Sequence, residues 1–388
     1  MPENLTDVTS PSTTKKISLL LDLPIEIQID IIELLQRDWH SQPYALKSLR
    51  LTCKQLEALC NPVFAESICI RLLDRSALEL RNEFAPKFAK YLKVMACHIP
   101  EHGGEVELFM ESVLTTILER AVHLRKITLN FCSTDTRAHS QLLNAIGNLG
   151  ALEDVGIWEY DYPQRRPPYD TVQFSFHHRL LNRIIDCHSQ RLRVLVVSGR
   201  TPMHESTFLK LRDTASQLRR LSISRCLTIE TRGAFAEPQK WACSGRLEYL
   251  FIHQCAIHSA TIARHIAAGV FGPLHTFYIF GCRENSGDSL ELAATVWTIP
   301  PLHWVRVDQL NDVEMSTLRC IRAKKVYTRM VWSNRPQCIE VFGRSTTFPE
   351  AVELHVEKDW DNKDFEELKR SCAMRGLTKV ERDLYPLN

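Results

Sequence analysis

Several features that direct a protein to a membrane, to nucleic acid or to secretion are missing from this sequence. No apolar run approaches the roughly 20 residues that span a bilayer, and the first 16 residues contain no apolar signal-like core. The net charge is only +2, so no whole-chain attraction to nucleic acid is expected. The 13 cysteines form an odd number without a paired framework, which is typical of a reducing compartment. We predict a cytoplasmic or nuclear protein that binds neither nucleic acid nor a membrane.

The motifs of common enzyme classes are also absent. The chain has no GxSxG, Walker A, HExxH or GxGxxG motif, which removes the usual signatures of serine hydrolases, P-loop nucleotide hydrolases, zinc proteases and dinucleotide-binding enzymes. It has no C-x-x-C pair either. We therefore expect no catalytic residue, no cofactor and no metal site, and a function based on binding.

The first informative segment is "LPIEIQIDIIELL" at residues 23–35. Its middle alternates apolar and polar residues as a strand does, but Pro24 suits the first turn of a helix, and only a helix accommodates the final "IIELL". We predict a helix with two opposed apolar stripes, one facing its own domain and the other a different protein. Burial of both stripes in one large core is the alternative. One stripe comprises Leu23, Ile27, Ile31, Leu34 and Leu35, and the other comprises Ile25, Ile29 and Ile32.

Two further helices are predicted in "YALKSLRLTCKQLEALCNPVFAESICI" at residues 44–70. A short helix comes first, and the capping box "TCKQ" begins the next, with Thr52 accepting from the amide of Gln55. Asn61 and Pro62 are expected to end that helix. The three helices form a unit too small to be stable without a partner or a neighbouring domain.

A repeat fills most of the remaining chain. The segments "LRRLSISRC", "LEYLFIHQC" and "LHTFYIFGC" begin at Leu218, Leu247 and Leu274, and each has apolar residues three and five places later and a cysteine eight places later. We call the first residue of each segment its anchor. Successive anchors from Leu192 lie 26, 29, 27 and 28 residues apart, within the range of a leucine-rich repeat. The apolar part of this frame also fits segments anchored at Ala89, Leu124, Leu152, Leu192, Leu302 and Ala351.

Counting the Ala89 segment, five segments have a cysteine at the same frame position. A small apolar thiol suits a buried position where the chain leaves a strand. Since each repeat would hold one such cysteine, these thiols are not expected to converge on a metal ion or a catalytic site. The best metal candidate is "HQCAIH" with His265 after it, but His253 should point outward from its strand and Cys255 inward. We therefore favour packing.

The repeat spacing lapses twice. Between Leu152 and Leu192 the surplus includes the proline-rich and charged "EYDYPQRRPPYD", which predicts a loop outside the stack. For this loop we favour a tolerated insertion over a ligand contact through Arg165 and Arg166. After the Leu302 segment, "AKKVYTRMV" is predicted to contribute a degenerate repeat.

The N-terminal helices resemble an F-box, on the basis of "LPIEI" with Ile31, Leu34 and Leu35 after it, followed by "LKSLRLTCKQLEAL" and "NPVFAESICI". Together with the repeats they resemble the family of F-box proteins with leucine-rich repeats. This resemblance implies an α/β fold, in which a short three-helix F-box precedes a solenoid with parallel strands on its concave face and helices on its convex face. The implied domains are a disordered tail at 1–16, an F-box at 17–66 and a solenoid at 67–388 that is degenerate from about residue 311.

The same resemblance implies a substrate receptor of an SCF-type ubiquitin ligase. The F-box would bind the Skp adaptor of the cullin-RING ligase core, and the repeats would hold an unidentified target protein. A non-degradative scaffold or inhibitor is the alternative, and helices that merely cap the repeat stack are a third possibility. The implied adaptor-binding residues are Leu23, Pro24, Ile25, Ile27, Ile29, Ile31, Ile32, Leu35, Leu46, Leu49 and Cys53.

The repeat frame also predicts a target-binding surface. Residues two, four and six places after each anchor should face the concave side. Five aromatic residues occupy such positions after Leu247, Leu274 and Leu302, and aromatic residues and arginine are common binding hot spots. We expect the site to centre there and to extend towards earlier strands, unless an insertion or the C-terminal tail covers it. The predicted residues are Trp158, Arg220, Tyr249, Phe251, His253, Tyr278, Phe280, Trp304 and Arg306.

Overall fold

The fold is given by a computed structural model. The structure describes residues 20–37, 45–71, 77–99, 105–131, 139–159, 176–199, 205–225, 239–253, 268–272, 274–280, 302–307, 323–328, 351–357 and 360–383, together with Cys255, His265, Ile339, Phe342 and Gly343. The predicted tail at 1–16 and most of the predicted loop, residues 160–175, lie outside this set.

Three helices form an N-terminal helical unit: α1 (Ile25–Arg37), α2 (Ala45–Arg50) and α3 (Lys54–Phe64). The prediction that the opening segment is a helix and not a strand is confirmed. A small buried cluster of Ile32, Cys60 and Val63, with Leu49, Leu59 and Phe64 packed around it, holds the three helices together.

Two local predictions for α3 are wrong. The N-cap residue is Cys53, without a side-chain capping bond, and the Thr52 hydroxyl instead donates to the carbonyl of Leu49 at 2.6 Å. The helix also continues through Pro62 to Phe64. A proline in the last turn removes a single intrahelical bond, and burial of Val63 against the cluster offsets part of that loss.

In the part of the chain that the structure describes, twelve strands form one sheet in which every neighbouring pair is parallel and the spatial order equals the order in the chain. The strands are β1 (Ser67–Arg71), β2 (Val94–Ile99), β3 (Lys126–Phe131), β4 (Asp154–Glu159), β5 (Val194–Ser198), β6 (Arg220–Ser224), β7 (Tyr249–His253), β8 (Thr276–Phe280), β9 (Leu302–Val307), β10 (Ala323–Thr328), β11 (Glu353–Glu357) and β12 (Lys379–Asp383). The chain is therefore an α/β protein with a sequentially ordered parallel sheet, as expected when each strand stacks on the one before it.

A layer of helices covers one face of this sheet. The four helices between Glu105 and Thr214 pack on one another in chain order, and one buried cluster extends along the sheet from Ile70 to Leu377. Before β2 an irregular stretch is helical over Ala77–Glu79, π-helical over Leu80–Phe84, helical over Ala85–Phe88 and 3-10 over Ala89–Tyr91. The later helices are α4 (Glu105–Leu118), α5 (Ser140–Gly147), α6 (Phe176–His188), α7 (Glu205–Thr214) and α8 (Asn362–Arg375). Among the described residues, no helix is both long and apolar enough to cross a membrane.

The same backbone contact recurs at the start of successive strands. The carbonyl of Lys93 accepts from the amides of Arg125 at 2.8 Å and Lys126 at 3.0 Å on the next strand. Equivalent pairs of bonds are accepted by Glu66, Arg125, Glu153, Arg193, Arg219, Glu248 and Val352. Each of these accepting carbonyls belongs to the residue directly after an anchor. The frame found in the sequence therefore corresponds to a repeated structural unit.

The Ala89 anchor is wrong by three residues. Ala89 begins a 3-10 turn, and the anchor position belongs to Leu92, because Met95 and Cys97 pair with the third and fifth residues of the next frame. Cys97 therefore lies five places after its anchor, inside β2, where it is buried. Four segments, and not five, therefore have a cysteine eight places after their anchor.

The outer strands β1 and β12 were not predicted. Ala65 occupies the anchor position of β1, and a small anchor gives a weak signal. In β12 the anchor is Leu377, but Arg382 replaces the second apolar residue of the frame. The segment "AKKVYTRMV", predicted to contribute a degenerate repeat, contains strand β10, which pairs in parallel with both β9 and β11.

Candidate functional site

An exposed apolar surface lies on the N-terminal helical unit. Ile27 is 44% exposed and Leu34 60% exposed on one face of α1, and Leu23, just before the helix, is also exposed. We call Leu23, Ile27 and Leu34 the outer stripe. Ile25 is also exposed, but it lies at the start of α1 on the side of Ile32. Contiguous exposed aliphatic side chains on one helix face are typical of a contact with another protein.

The opposite face of α1 fixes this stripe in place. Ile32 has no exposed surface, and the buried Gln28 amide donates to the carbonyl of Leu23 at 2.7 Å. The guanidinium of Arg50 lies 4.4 Å from the ring centre of Phe64 and 5.6 Å from that of Phe88. Since Phe88 belongs to the helical stretch before β2, this contact connects the helical unit to the repeats.

The structure divides the predicted adaptor-binding residues. The prediction that Ile32 binds the adaptor is wrong, because its side chain is fully buried among α1–α3 and cannot contact a partner in the folded unit. Leu49 packs against the same cluster, and the side chain of Leu46 lies outside the described residues. Pro24 is exposed. The remaining predicted residues are half-buried, namely Ile29, Ile31, Leu35 and Cys53.

A second candidate surface lies on the face of the sheet turned away from the helices, here called the open face. In β5 and β7 the residues alternate as the frame predicts: in β7, Leu250 and Ile252 are buried, whereas Tyr249, Phe251 and His253 are half-buried. In β6 the alternation is lost, because Ser222 and Ser224 are buried as well.

A depression of about 530 Å³ lies on the open face of β3–β6. It brings together two of the predicted residues, Trp158 and Arg220. Trp158 is 43% exposed, which is unusual for so large an apolar ring. The depression is lined by Lys126, Thr128, Asn130, Asp154, Val155, Gly156, Trp158, Val194, Val196 and Arg220.

The lining combines an apolar floor with charged sides. Burial raises the pKa of Asp154, and the neighbouring Lys126, its register partner on β3, acts against that rise. A Cβ atom on Gly156 would lie 3.1 Å from Nε1 of Trp158 and 3.4 Å from the methyl group of Thr128. Gly156 therefore leaves room for the indole beside the depression.

The predicted aromatic residues on β7 are less accessible than expected. The Arg220 guanidinium covers the Tyr249 ring at 4.5 Å from its centre, and the Phe251 and His253 rings contact each other at 5.9 Å. His253 Nδ1 also lies 2.8 Å from the hydroxyl of Ser224. These contacts occupy part of the surface that the frame assigned to binding. Ser222, the register partner of Phe251, is buried.

The other predicted target-binding residues are placed by their backbone only. Tyr278 pairs with Phe251 on one side and with Arg306 on the other, so these residues follow one another across β7–β9. Trp304 is the register partner of Thr276, and Phe280 that of His253. The side chains of Tyr278, Phe280, Trp304 and Arg306 lie outside the described residues.

Sequence reasoning missed most of the depression. The same frame applied to Leu124, Leu152 and Leu192 assigns Lys126, Asp154, Val194 and their neighbours to the open face. Aromatic side chains at the outward frame positions pointed to β7–β9, whereas the depression lies where several of these positions hold small residues. A scan of the frame for glycine and other small residues would have pointed to β3–β6.

Five of the eight cysteines that the structure describes are buried and behave as packing residues, namely Cys60, Cys97, Cys243, Cys255 and Cys372. Cys255 is buried, with Sγ 3.6 Å from the carbonyl of Ile223, and burial raises the pKa of Cys60, Cys243 and Cys372 to about 11 each. Within the described part of the chain, no group of three or more His, Cys, Asp or Glu side chains could hold a metal ion. The frame cysteines Cys132, Cys226 and Cys282 lie outside that part.

Comparison with known proteins yields no relative: no protein-family model and no curated protein matches the sequence.

Proposed function

We propose that this chain is the substrate-recognition subunit of an SCF-type ubiquitin ligase, with an F-box at its N-terminus and leucine-rich repeats after it. The N-terminal helical unit would bind the Skp adaptor of the cullin-RING core, in the cytoplasm or nucleus. The open face of the sheet would hold the target protein. The chain would catalyse no reaction itself and would contribute orientation and effective concentration.

The observation that carries this proposal is the outer stripe of α1. The helix buries Ile32 in its own unit and leaves Leu23, Ile27 and Leu34 exposed. A unit of three short helices with so small a buried cluster gains stability from a partner that covers such a stripe. The contact of Arg50 with Phe88 also gives the unit a defined attachment to the repeats.

The repeated units support the second half of the proposal. Parallel strands in chain order, with helices on one face and the same backbone contact after eight anchors, are features expected of leucine-rich repeats. Such an array presents a long surface whose side chains are free to vary between proteins.

Affinity purification of the tagged full-length chain tests the function. Recovery of Skp and cullin is the expected result, and recovery of neither would contradict the proposal. Target proteins that accumulate when the proteasome is blocked would indicate a ligase receptor. A co-purified partner whose level is unaffected by the chain would instead indicate the scaffold or inhibitor.

A further inference from the structure

The small residues at the depression on β3–β6 belong to a longer row on the open face. The residue four places after each anchor is small on six successive strands, and these residues are direct register partners. The row of small residues ends at β7, where the large Phe251 is the register partner of Ser222. Across β1–β6 the row consists of Cys69, Ala96, Thr128, Gly156, Val196 and Ser222.

The dimensions of this row suit an extended chain lying across the strands. Six strands span five spacings of about 4.8 Å, which is roughly 24 Å. An extended peptide rises about 3.3 Å per residue, so about seven residues would fill the row. The neighbouring rows form the sides, with Lys126 and Arg220 on one side and Asn130 and Trp158 on the other.

Charge at the depression favours an acidic occupant. Arg220 contacts the Tyr249 ring, and no carboxylate among the described residues pairs with it. Lys126 is only partly balanced by Asp154, so the cations at the depression outnumber the acids. Trp158, Val194 and Val196 add an apolar contact surface for a neighbouring side chain.

We propose that the row of small residues across β1–β6 is the floor of a groove that binds an extended peptide segment of the target protein that carries carboxylate side chains next to an apolar one. The apolar side chain would contact Trp158 and Val196, and the carboxylates would pair with Arg220 and Lys126. This inference rests on the proposed function for the source of the peptide, but its test does not require the adaptor.

The test uses the purified full-length chain and an array of peptides of about nine residues, a length that covers the groove. Each peptide is made in three versions, with Glu, Gln or Lys at the same positions. Arg220→Glu reverses the charge beside the depression, and Val196→Tyr fills the small-residue row from a strand position on the open face. Lys87→Glu is the matched control, because it makes the same charge change at an exposed site on the helical stretch before β2.

We expect the wild-type chain to bind Glu versions at least about tenfold more tightly than Gln versions. Arg220→Glu should move the preference to Lys versions, Val196→Tyr should lose binding, and Lys87→Glu should change nothing. Equal binding of Glu and Gln versions, or binding that both groove variants retain, would overturn the inference. So would binding that appears only after residues 161–173 are deleted, since the chain's own segment would then be the occupant. Skp binding, measured separately, reports on the proposed function alone.

Discussion

The two faces of α1 should respond very differently to truncation of an isoleucine. Replacing Ile32 by Ala removes three carbons from a fully buried site beside Cys60 and Val63, which costs about 2.4 kcal/mol of transfer free energy. The cavity left behind raises this to about 3 kcal/mol. Ile27 is 44% exposed, so Ile27→Ala loses only about half of the transfer term and leaves no cavity. We expect it to cost about 1 kcal/mol or less, and the gain in helix propensity is the same for both variants.

Amide hydrogen exchange of α1–α3 in the adaptor-free chain measures this difference directly, because it reports on the helical unit separately from the repeats. The predicted gap of about 2 kcal/mol corresponds to roughly 30-fold faster exchange in Ile32→Ala than in Ile27→Ala. Equal loss of protection in the two variants would refute the assignment of a buried face and an exposed outer stripe.

Two further predictions concern the repeats. A Cβ atom on Gly272, whose φ is +73°, would lie 2.9 Å from Cα of Gly245 in the preceding turn and closer still to its amide, whereas Gly245, at φ +91°, has open space. Gly272→Ala should therefore lower the unfolding free energy by about 3 kcal/mol and Gly245→Ala by only about 1 kcal/mol, and equal thermal shifts would contradict the contact between turns. Burial lowers the pKa of His188, whose Nε2 donates to the Ile146 carbonyl at 2.9 Å, so the folded state favours the neutral ring. Stability should fall as the pH drops below the unfolded value of about 6.5. His188→Gln keeps a donor for the Ile146 carbonyl but cannot titrate. The difference between its denaturation midpoints at pH 7.5 and 5.5 should therefore be smaller than in the wild-type chain. An equal difference in the two proteins would exclude His188 as the cause.

The sequence predicted the elements wherever apolar spacing was complete. The period of residues 23–35 identified a helix, and the frame anchored at Leu247 identified β7 with the correct side chains buried. Prediction failed where one residue of the pattern was replaced. Ala65 in place of a leucine concealed β1, and Arg382 in place of an aliphatic residue concealed β12.

The candidate site was harder to predict because it depends on contacts between distant residues. The frame placed Trp158 and Arg220 on the open face, but it could not show that Arg220 covers Tyr249 or that Ser224 lies beside His253. The floor of the groove consists of small residues, which have no individual signal in a sequence. The strand register makes Thr128, Gly156 and Val196 neighbours, and their shared frame position, four places after each anchor, is the only sign of this in the sequence.

The central claim, that the outer stripe of α1 binds the Skp adaptor, is tested most directly by the affinity of purified Skp for the purified full-length chain. Ile27→Asp and Leu34→Asp place a charge on exposed positions of the stripe, and Val122→Asp makes the same change at an exposed position in the turn after α4. We predict that both stripe variants weaken Skp binding by at least about 100-fold while Val122→Asp leaves it unchanged, because a carboxylate in an apolar interface is desolvated without a partner. Wild-type affinity in both stripe variants, with the fold intact, would contradict the claim.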